Sequence, residues 1–198
     1  MGSSVENRSH VDSVFNRMYP PQRVASVSQD QEPDNNNSGD SRLLATAWHE
    51  AGHALVAVIV GRPIQKVTVA PAKLQTGGVR LGAVRFQKGR SKSTNDWLED
   101  EVLILLAGMV AESKFTGQYC QASASHDLRA ARNLMDKRAA TERQMEKLER
   151  RLLDKVEHLL EQSHHVAALK MIVDELMEKQ TIKGRTVKHF LNMATQQR

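Results

Sequence analysis

Apolar side chains at spacings of three and four residues predict a helix over about residues 42–60. A residue that can cap the helix, Asp40 or Ser41, precedes this run, and Gly61 followed by Pro63 favours its end. An apolar stripe of this kind packs against a protein core. The predicted stripe consists of Leu44, Trp48, Ala51, Leu55 and Ile59.

Two segments after this helix have the character of β-strands. Side chains in residues 64–70 alternate between two faces, so Ile64 is predicted to face away from Val67 and Val69. A second β segment, residues 79–86, follows a pair of glycines. We therefore predict two strands of a small sheet.

The rest of the chain is mostly helical in pattern. An almost continuously apolar stretch predicts a buried helix that a glycine ends, and charged residues alternate with apolar ones in the helices that follow. The predicted fold class is therefore α+β, mostly α. The predicted helices cover about residues 96–112 before Gly117, a segment from Ser125, a segment with Met145 to Leu159, and residues 166–177 and 186–194.

The N-terminal segment differs in composition from the rest. Residues 26–40 are polar and nearly free of large apolar side chains, so they cannot bury enough surface to offset the entropy of ordering. We expect residues 1–41 to form a disordered tail and residues 42–198 to form one domain, a size that supports one core.

The net charge of +5 is unevenly distributed, with −3 in residues 1–41 and +8 in residues 42–198. No acid occurs between Ala51 and Asn95, whereas eight basic residues do. The simpler interpretation is a solvated basic face; the functional one is a surface that attracts acidic partners. Few aromatic residues are interleaved, which argues against nucleic-acid binding. The eight are Arg62, Lys66, Lys73, Arg80, Arg85, Lys88, Arg90 and Lys92.

A cytoplasmic location is expected from three features. Cys120 is the single cysteine, which excludes an internal disulfide and a cysteine-based zinc site. The first residues lack the apolar region of a secretory signal. The longest apolar run, around residues 54–60, is too short to span a bilayer, so we expect no membrane span.

The sequence His49-Glu50-Ala51-Gly52-His53 lies inside the first predicted helix. Side chains four residues apart lie on one face of a helix, so two imidazoles can bind one Zn²⁺ while the glutamate acts as a general base. This HExxH pattern is typical of zinc peptidases, which need a third protein ligand and an open position. Spacing alone leaves five candidates for the third ligand: Glu112, His126, Asp127, His164 and His165. Histidines are usually exposed, so we expect those at positions 158, 164, 165 and 189 to lie at the surface.

Five segments between residues 42 and 194 occur in a recognisable order. They are HEAGHALVAVIVG, IQKVTVAP, LLAGMVAESKFTG, ASASHDLRAARNL and LMEKQTIKGRTVKHFL. Through these segments and their order, the chain resembles the peptidase domain of FtsH-type ATP-dependent zinc proteases. The resemblance implies a zincin-like helical domain with a small β-sheet next to the HExxH helix.

The resemblance also implies site residues. Residues 122–128 match a segment in which the family's third ligand is an aspartate, which nominates Asp127 in the first turn of the third helix, with Ser125 as its cap. Glu112 closes a segment similar to the family's Gly-Arg-Ala-Ala-Glu, so we expect it to orient a ligand histidine. The family's asparagine before the aspartate is His126 here, which we interpret as a surface substitution rather than an outer group or a competing ligand.

The second β segment resembles the family's strand beside the active site. An extended substrate could pair with it through backbone hydrogen bonds, and Gly78, Val79 and Leu81 are the residues nominated for this contact. The family forms hexameric rings, which makes a homo-oligomer an expectation. No Gly-x-x-x-x-Gly-Lys-Ser/Thr loop is present, so ATP-driven unfolding would need a separate ATPase partner.

The sequence is best interpreted as a zinc-dependent endopeptidase that acts on unfolded or flexible polypeptides without ATP. In the expected mechanism His49, His53 and Asp127 bind Zn²⁺, and Glu50 takes a proton from water. The alternative is a non-catalytic adaptor or assembly module of the same fold that associates with a protease oligomer. An intact Glu50 argues against the alternative, because a binding module needs no general base.

Overall fold

A computed structural model describes residues 37–73, 79–87 and 96–196. Within them helices predominate and a three-stranded antiparallel sheet forms, which confirms the prediction of an α+β, mostly α fold. The predicted disorder of the tail falls mainly on residues 1–36, outside the described ranges. The elements are α1 (Asn37–Ile59), β1 (Ile64–Lys73), β2 (Val79–Phe86), α2 (Trp97–Thr116), α3 (Gln121–Met135), α4 (Glu142–Glu161), α5 (Ser163–Lys179), β3 (Thr181–Lys183) and α6 (Gly184–Gln196).

Helices α1 and α2 pack against each other and form the centre of the core. Gly52 permits their close approach, since a Cβ at this position would lie 2.5 Å from the Cβ of Ala111. α2 is buried along most of its length because its central residues, 102–111, are apolar on every side. α1 begins at Asn37, a few residues before the predicted start, and ends at Ile59 as the glycine and proline after it indicate.

Both ends of α2 are capped, and the prediction that Gly117 ends this helix is confirmed. The side chain of Asp96 accepts a hydrogen bond from the backbone N–H of Glu99 at 3.1 Å and so caps the helix. Gly117 ends it in the left-handed region, with φ of 75°, and its N–H bonds to Ser113. Arg138 also contacts the Asp96 carboxylate through both terminal nitrogens, which fastens the start of α2 to the segment after α3.

The sheet has the strand order β2-β1-β3 and packs against α1. The predicted alternation of β1 is wrong at its first residue, because Ile64 is buried together with Val67 and Val69. Ile64 pairs with Phe86, and Lys66 pairs with Arg85, the residue before Phe86. β1 therefore has one extra residue at this point, which reverses the alternation. β3, only three residues long, was not predicted.

The helices after α2 complete the core. α4 is amphipathic and buries Leu152, Leu153 and Val156 among others. His165, which we predicted at the surface, is instead buried in α5, where its Nδ1 bonds to the carbonyl of Leu159 at 2.6 Å. In residues 37–73, 79–87 and 96–196, no helix combines the length and hydropathy needed to cross a bilayer.

Candidate metal centre

His49 and His53 lie one turn apart on the buried face of α1. Their ring centroids are 4.7 Å apart and the rings are nearly perpendicular, with an interplanar angle of 79°. Both residues are at least nine-tenths buried. The helical spacing therefore brings the two imidazoles together as predicted.

Asp127 on α3 closes the group. Its Oδ2 lies 3.2 Å from Nε2 of His49 and 3.2 Å from Nε2 of His53. The carboxylate comes from the second turn of α3, so the predicted position in a first turn capped by Ser125 is wrong. α3 begins at Gln121, and Cys120 before it makes no side-chain capping bond.

The other nitrogen of each imidazole has a fixed acceptor. Nδ1 of His49 bonds to Oε2 of Glu112 at 2.8 Å, and Nδ1 of His53 bonds to the carbonyl of Ile104 at 2.7 Å. A carbonyl oxygen can only accept, so the proton of neutral His53 is on Nδ1. Ser123 also donates to Oε2 of Glu112 at 2.8 Å and holds that carboxylate in place. Both Nε2 lone pairs are thereby directed toward Asp127.

This donor set fits a zinc ion. Two ligands bound about 2.0–2.1 Å from a tetrahedral zinc lie about 3.3 Å from each other, close to the 3.2 Å separations between the imidazoles and Asp127. Lone pairs of two imidazoles and one carboxylate that point at one place repel each other unless a cation lies between them. Among the described residues, His49, His53 and Asp127 form the group that could hold a metal, with ligand atoms within 4.8 Å of one another.

The electrostatics of the site also favour a positive charge between these side chains. Burial lowers the pKa of His49, but hydrogen bonds to Asp127 and Glu112 outweigh burial and raise its pKa to about 9. Burial raises the pKa of the Asp127 carboxyl, but the hydrogen bonds and charges of the two imidazoles outweigh burial, so this pKa is well below the usual range.

Close packing of α2 leaves no room beside the imidazoles. A Cβ at Gly108 would lie 2.7 Å from Nε2 of His49 and closer still to Nε2 of His53. Any larger residue here would collide with both imidazoles. The glycine in this apolar helix is therefore needed for space rather than for backbone conformation.

Glu50 lies beside the group and is 5% exposed. Gly82 of β2 contacts it, because a Cβ at Gly82 would lie 2.5 Å from Oε1 of Glu50. Gly82 has φ of 80°, in the region that favours glycine, and two residues of β1 face it in the pairing register. The sheet therefore brings its backbone to the carboxyl group of Glu50.

The other candidates for the third ligand lie elsewhere. The His126 side chain is 89% exposed and its Nδ1 is 3.6 Å from Oδ1 of Asp127, on the side away from the imidazoles, as the surface interpretation predicts. His164 and His165 are on α5, where their rings contact each other. Glu112 contacts Nδ1 of His49, not the Nε2 atoms.

The nominated substrate strand is described only in part. Gly78 lies outside the described residues, and Val79 pairs through its backbone with Lys73 of β1. Leu81 is 37% exposed and pairs with Pro71. Within the described part of the chain, β2 is at one edge of the sheet.

Several functional contacts were not predicted from the sequence. The carbonyl of Ile104 and the hydroxyl of Ser123 gave no signal, since neither group belongs to a recognisable motif. Gly108 and Gly82 did give one, because an isolated glycine inside a helix or a strand indicates a close approach. Neither glycine was among the predicted site residues.

Two imidazoles and a glutamate on one helix, closed by a carboxylate from another, define the class of zinc-dependent metallopeptidases. Comparison with known families agrees. The chain belongs to peptidase family M41, whose sequence model matches residues 38–141, more than half of the chain. The predicted recognition of an FtsH-type peptidase domain is thereby confirmed.

Similar curated proteins are named as FtsH zinc metalloproteases. The "ATP-dependent zinc metalloprotease FtsH" of Protochlamydia amoebophila is 38% identical over 99 residues, which cover 48% of this chain and 10% of the relative. That of Methylococcus capsulatus is 28% identical over 196 residues, covering 78% of this chain and 30% of the relative. "FtsH 4" of Sorangium cellulosum is 34% identical over 100 residues, 48% of this chain and 14% of the relative.

The matched part of the chain spans less than a third of the length of these relatives. Zinc is part of each of their names, and the described structure contains a group that could hold it. The prediction of a zinc cofactor is therefore confirmed.

Proposed function

We propose that His49, His53 and Asp127 bind one zinc ion and that this chain hydrolyses peptide bonds of unfolded or flexible polypeptides. The observation that carries the proposal is the meeting of one carboxylate oxygen with both Nε2 atoms at 3.2 Å. A glutamate beside this group, membership of a peptidase family and zinc metalloproteases among the relatives support it.

The side chains have separate roles in this proposal. When bound, zinc supplies a Lewis acid that lowers the pKa of water to about 7 and polarises a carbonyl group. Glu50 takes the proton of the attacking water and delivers it to the leaving amine, for which its place beside His49 and Gly82 is suited. Glu112 keeps His49 in the Nδ1–H tautomer by accepting that hydrogen bond.

The substrate would add as an extended strand along β2. Within the described residues this strand pairs with β1 on one side only, and it passes Glu50 at Gly82. Such pairing reads the backbone of the substrate, which suits polypeptides that are unfolded. Leu81, Val79 and Gly78 are the proposed contacts.

Three further assignments are proposals of the same kind. A homo-oligomer, with a hexamer as the family's form, and delivery of substrate by a separate ATPase follow from the resemblance. The relatives are named as ATP-dependent, which is a property of those longer proteins. A cytoplasmic location stays a prediction from the single cysteine.

The test combines zinc content with casein cleavage by the wild type and by Glu50→Gln. We expect one zinc per chain in both proteins and loss of cleavage only in the variant, because the amide cannot take the proton. Glu178→Gln, an exposed change on α5, is the matched control and should cleave normally. Equal cleavage by Glu50→Gln would overturn the assigned base. Zinc without cleavage in the wild type would favour the non-catalytic adaptor.

A further inference from the structure

Three cationic side chains form one row across the sheet. Lys66 of β1 pairs with Arg85 of β2 on one side and with Lys183 of β3 on the other. The next row, Val67 with its partners, is the buried one, since Val67 is fully buried and Ile182 is 4% exposed. Successive residues of a strand face opposite sides, so the cationic row lies on the outer face of the sheet.

The row has an electrostatic cost within the protein. Side chains directly opposite each other in neighbouring strands have Cβ atoms about 4.5–5.5 Å apart, and like charges in such pairs destabilise a sheet. Among the described residues, no carboxylate lies within ion-pair distance of Lys66, Arg85 or Lys183. Arg62, by contrast, does have a carboxylate partner, Glu101, at 3.1 Å.

The row also has a defined position relative to the metal centre. Gly82 contacts Glu50, and Arg85 follows three residues later on β2, a distance of about 10 Å along a strand. Beside Arg85 is an open depression of about 620 Å³ lined by Gln65, Arg85, Phe86 and Gln87. A chain that pairs with β2 opposite Glu50 and continues toward Arg85 therefore runs beside this depression.

We propose that Lys66, Arg85 and Lys183 form a subsite that selects polypeptide substrates with an acidic side chain about three residues from the cleaved bond. This inference rests on the proposed peptidase function. An aspartate or glutamate there would interact most closely with Arg85 on β2 and, at longer range, with Lys66 and Lys183, which lie one and two strands further away. Its negative charge would thereby relieve the repulsion within the row. The β-strand charges agree, since every charged residue of β1, β2 and β3 is basic: Lys66, Lys73, Arg80, Arg85 and Lys183.

The first test uses peptides of one sequence in which a single glutamate is moved along an otherwise neutral chain. We expect kcat/KM to be highest when the glutamate is about three residues from the cleaved bond, five- to tenfold above the all-neutral peptide. That range corresponds to about 1 to 1.4 kcal/mol. The advantage should fall as salt rises from 0.05 to 0.5 M, because the cations are exposed. Rates that do not depend on the glutamate's position would overturn the subsite.

The second test replaces the cations. Arg85→Gln with Lys183→Gln should bring the ratio of kcat/KM between the acidic and the neutral peptide close to one. Arg150→Gln is the matched control, because Arg150 is exposed on α4, away from the sheet, and this variant should keep the full ratio. If the double variant keeps the ratio and Arg150→Gln reduces it, general charge rather than this row is responsible.

Binding separates failure of the subsite from failure of the peptidase. With zinc-loaded Glu50→Gln protein, fluorescence anisotropy should show five- to tenfold tighter binding of the acidic peptide, and Arg85→Gln with Lys183→Gln should abolish the difference. The outcome is informative even if no peptide is cleaved. Equal binding of the two peptides overturns the subsite. Equally tight binding of a single-stranded DNA of the same charge would assign the row to polyanions in general and overturn its role in substrate choice.

Discussion

The carboxyl group of Glu50 lies directly against the backbone of Gly82. A Cβ at position 82 would be 2.5 Å from Oε1 and 2.7 Å from Cγ of Glu50. Gly82 also has a positive φ, so both space and backbone conformation require glycine. The strand proposed to hold substrate and the proposed base are thus in contact.

Gly82→Ala is expected to reduce peptide cleavage at least tenfold while zinc remains bound. The added methyl group would collide first with Glu50, whose side chain supplies the three atoms nearest to a Cβ at this position. The positive φ should also lower the free energy of unfolding by about 1–2 kcal/mol. Cleavage assays, metal analysis and urea unfolding measure the three effects.

Gly117→Ala is the control for the backbone effect. Gly117 has φ of 75°, but a Cβ there would meet nothing within 4 Å. It should lose similar stability and retain cleavage. If both variants lose the same fraction of activity, the contact with Glu50 is irrelevant.

Asp127→Ala is expected to lose stoichiometric zinc, with affinity reduced more than the roughly 10–100-fold typical of residues that only orient a ligand. The reason is removal of the oxygen that lies 3.2 Å from both Nε2 atoms. Its neighbour supplies the control, since His126→Ala removes an exposed side chain and should bind zinc normally. Retained stoichiometric zinc in Asp127→Ala, measured by metal analysis, would remove this residue from the ligand set.

Glu112→Gln is expected to weaken zinc binding by about tenfold, near the lower end of the range for groups that orient a ligand. The amide still fills the space, but it is a weaker acceptor for Nδ1 of His49 and for Ser123. Ser123→Ala should have a smaller effect, because Glu112 keeps its bond to His49. Competition with a chromophoric chelator gives both affinities. Unchanged affinity in Glu112→Gln would mean that the imidazole needs no such support.

The bond between Asp96 and Arg138 predicts a pH-dependent contribution to stability. Arg138 and the N–H of Glu99 lower the pKa of Asp96 to about 2 from an ordinary value of 3.8. A lowered pKa stabilises the folded state above the ordinary value, and this stabilisation is lost as pH falls toward 2. Asp96→Asn should therefore be less stable than wild type at pH 5, by less than about 1 kcal/mol for a pair this exposed.

The difference in unfolding free energy between wild type and Asp96→Asn should shrink as pH falls from 5 to 3. Urea unfolding at pH 5, 4 and 3 measures it, and acid effects on the metal centre cancel in the difference. A difference for Asp96→Asn that grows with acidity would contradict the assigned pair.

Helices and strands could be predicted from the sequence where residues at their own ends mark them. The extent of β2 matched because glycines precede it, and α2 matched at Asp96 and Gly117 because both are caps. β3 was missed because three residues show no periodicity, and it exists only by pairing with β1. The start of α3 was misplaced because Cys120 offers no side-chain cap, so nothing local marks it.

The metal centre could be predicted only in part, because only some of its residues are close in the sequence. The spacing of His49 and His53 is a local property of a helix, but spacing left the third ligand open, and only the resemblance nominated Asp127. The contacts of Ile104 and Gly82 join residues far apart in the sequence, one of them through a backbone carbonyl. Contacts of that kind depend on how the elements pack.

Ile104, Gly108 and Glu112 lie on successive turns of one face of α2, and all three contact the histidines of α1. A slide of α2 by one residue, about 1.5 Å, would break both hydrogen bonds at once. The geometry of the metal centre therefore depends on the alignment of α1 with α2. Chelation should consequently loosen the middle of the domain, and core substitutions remote from the histidines should release the ion before the domain unfolds.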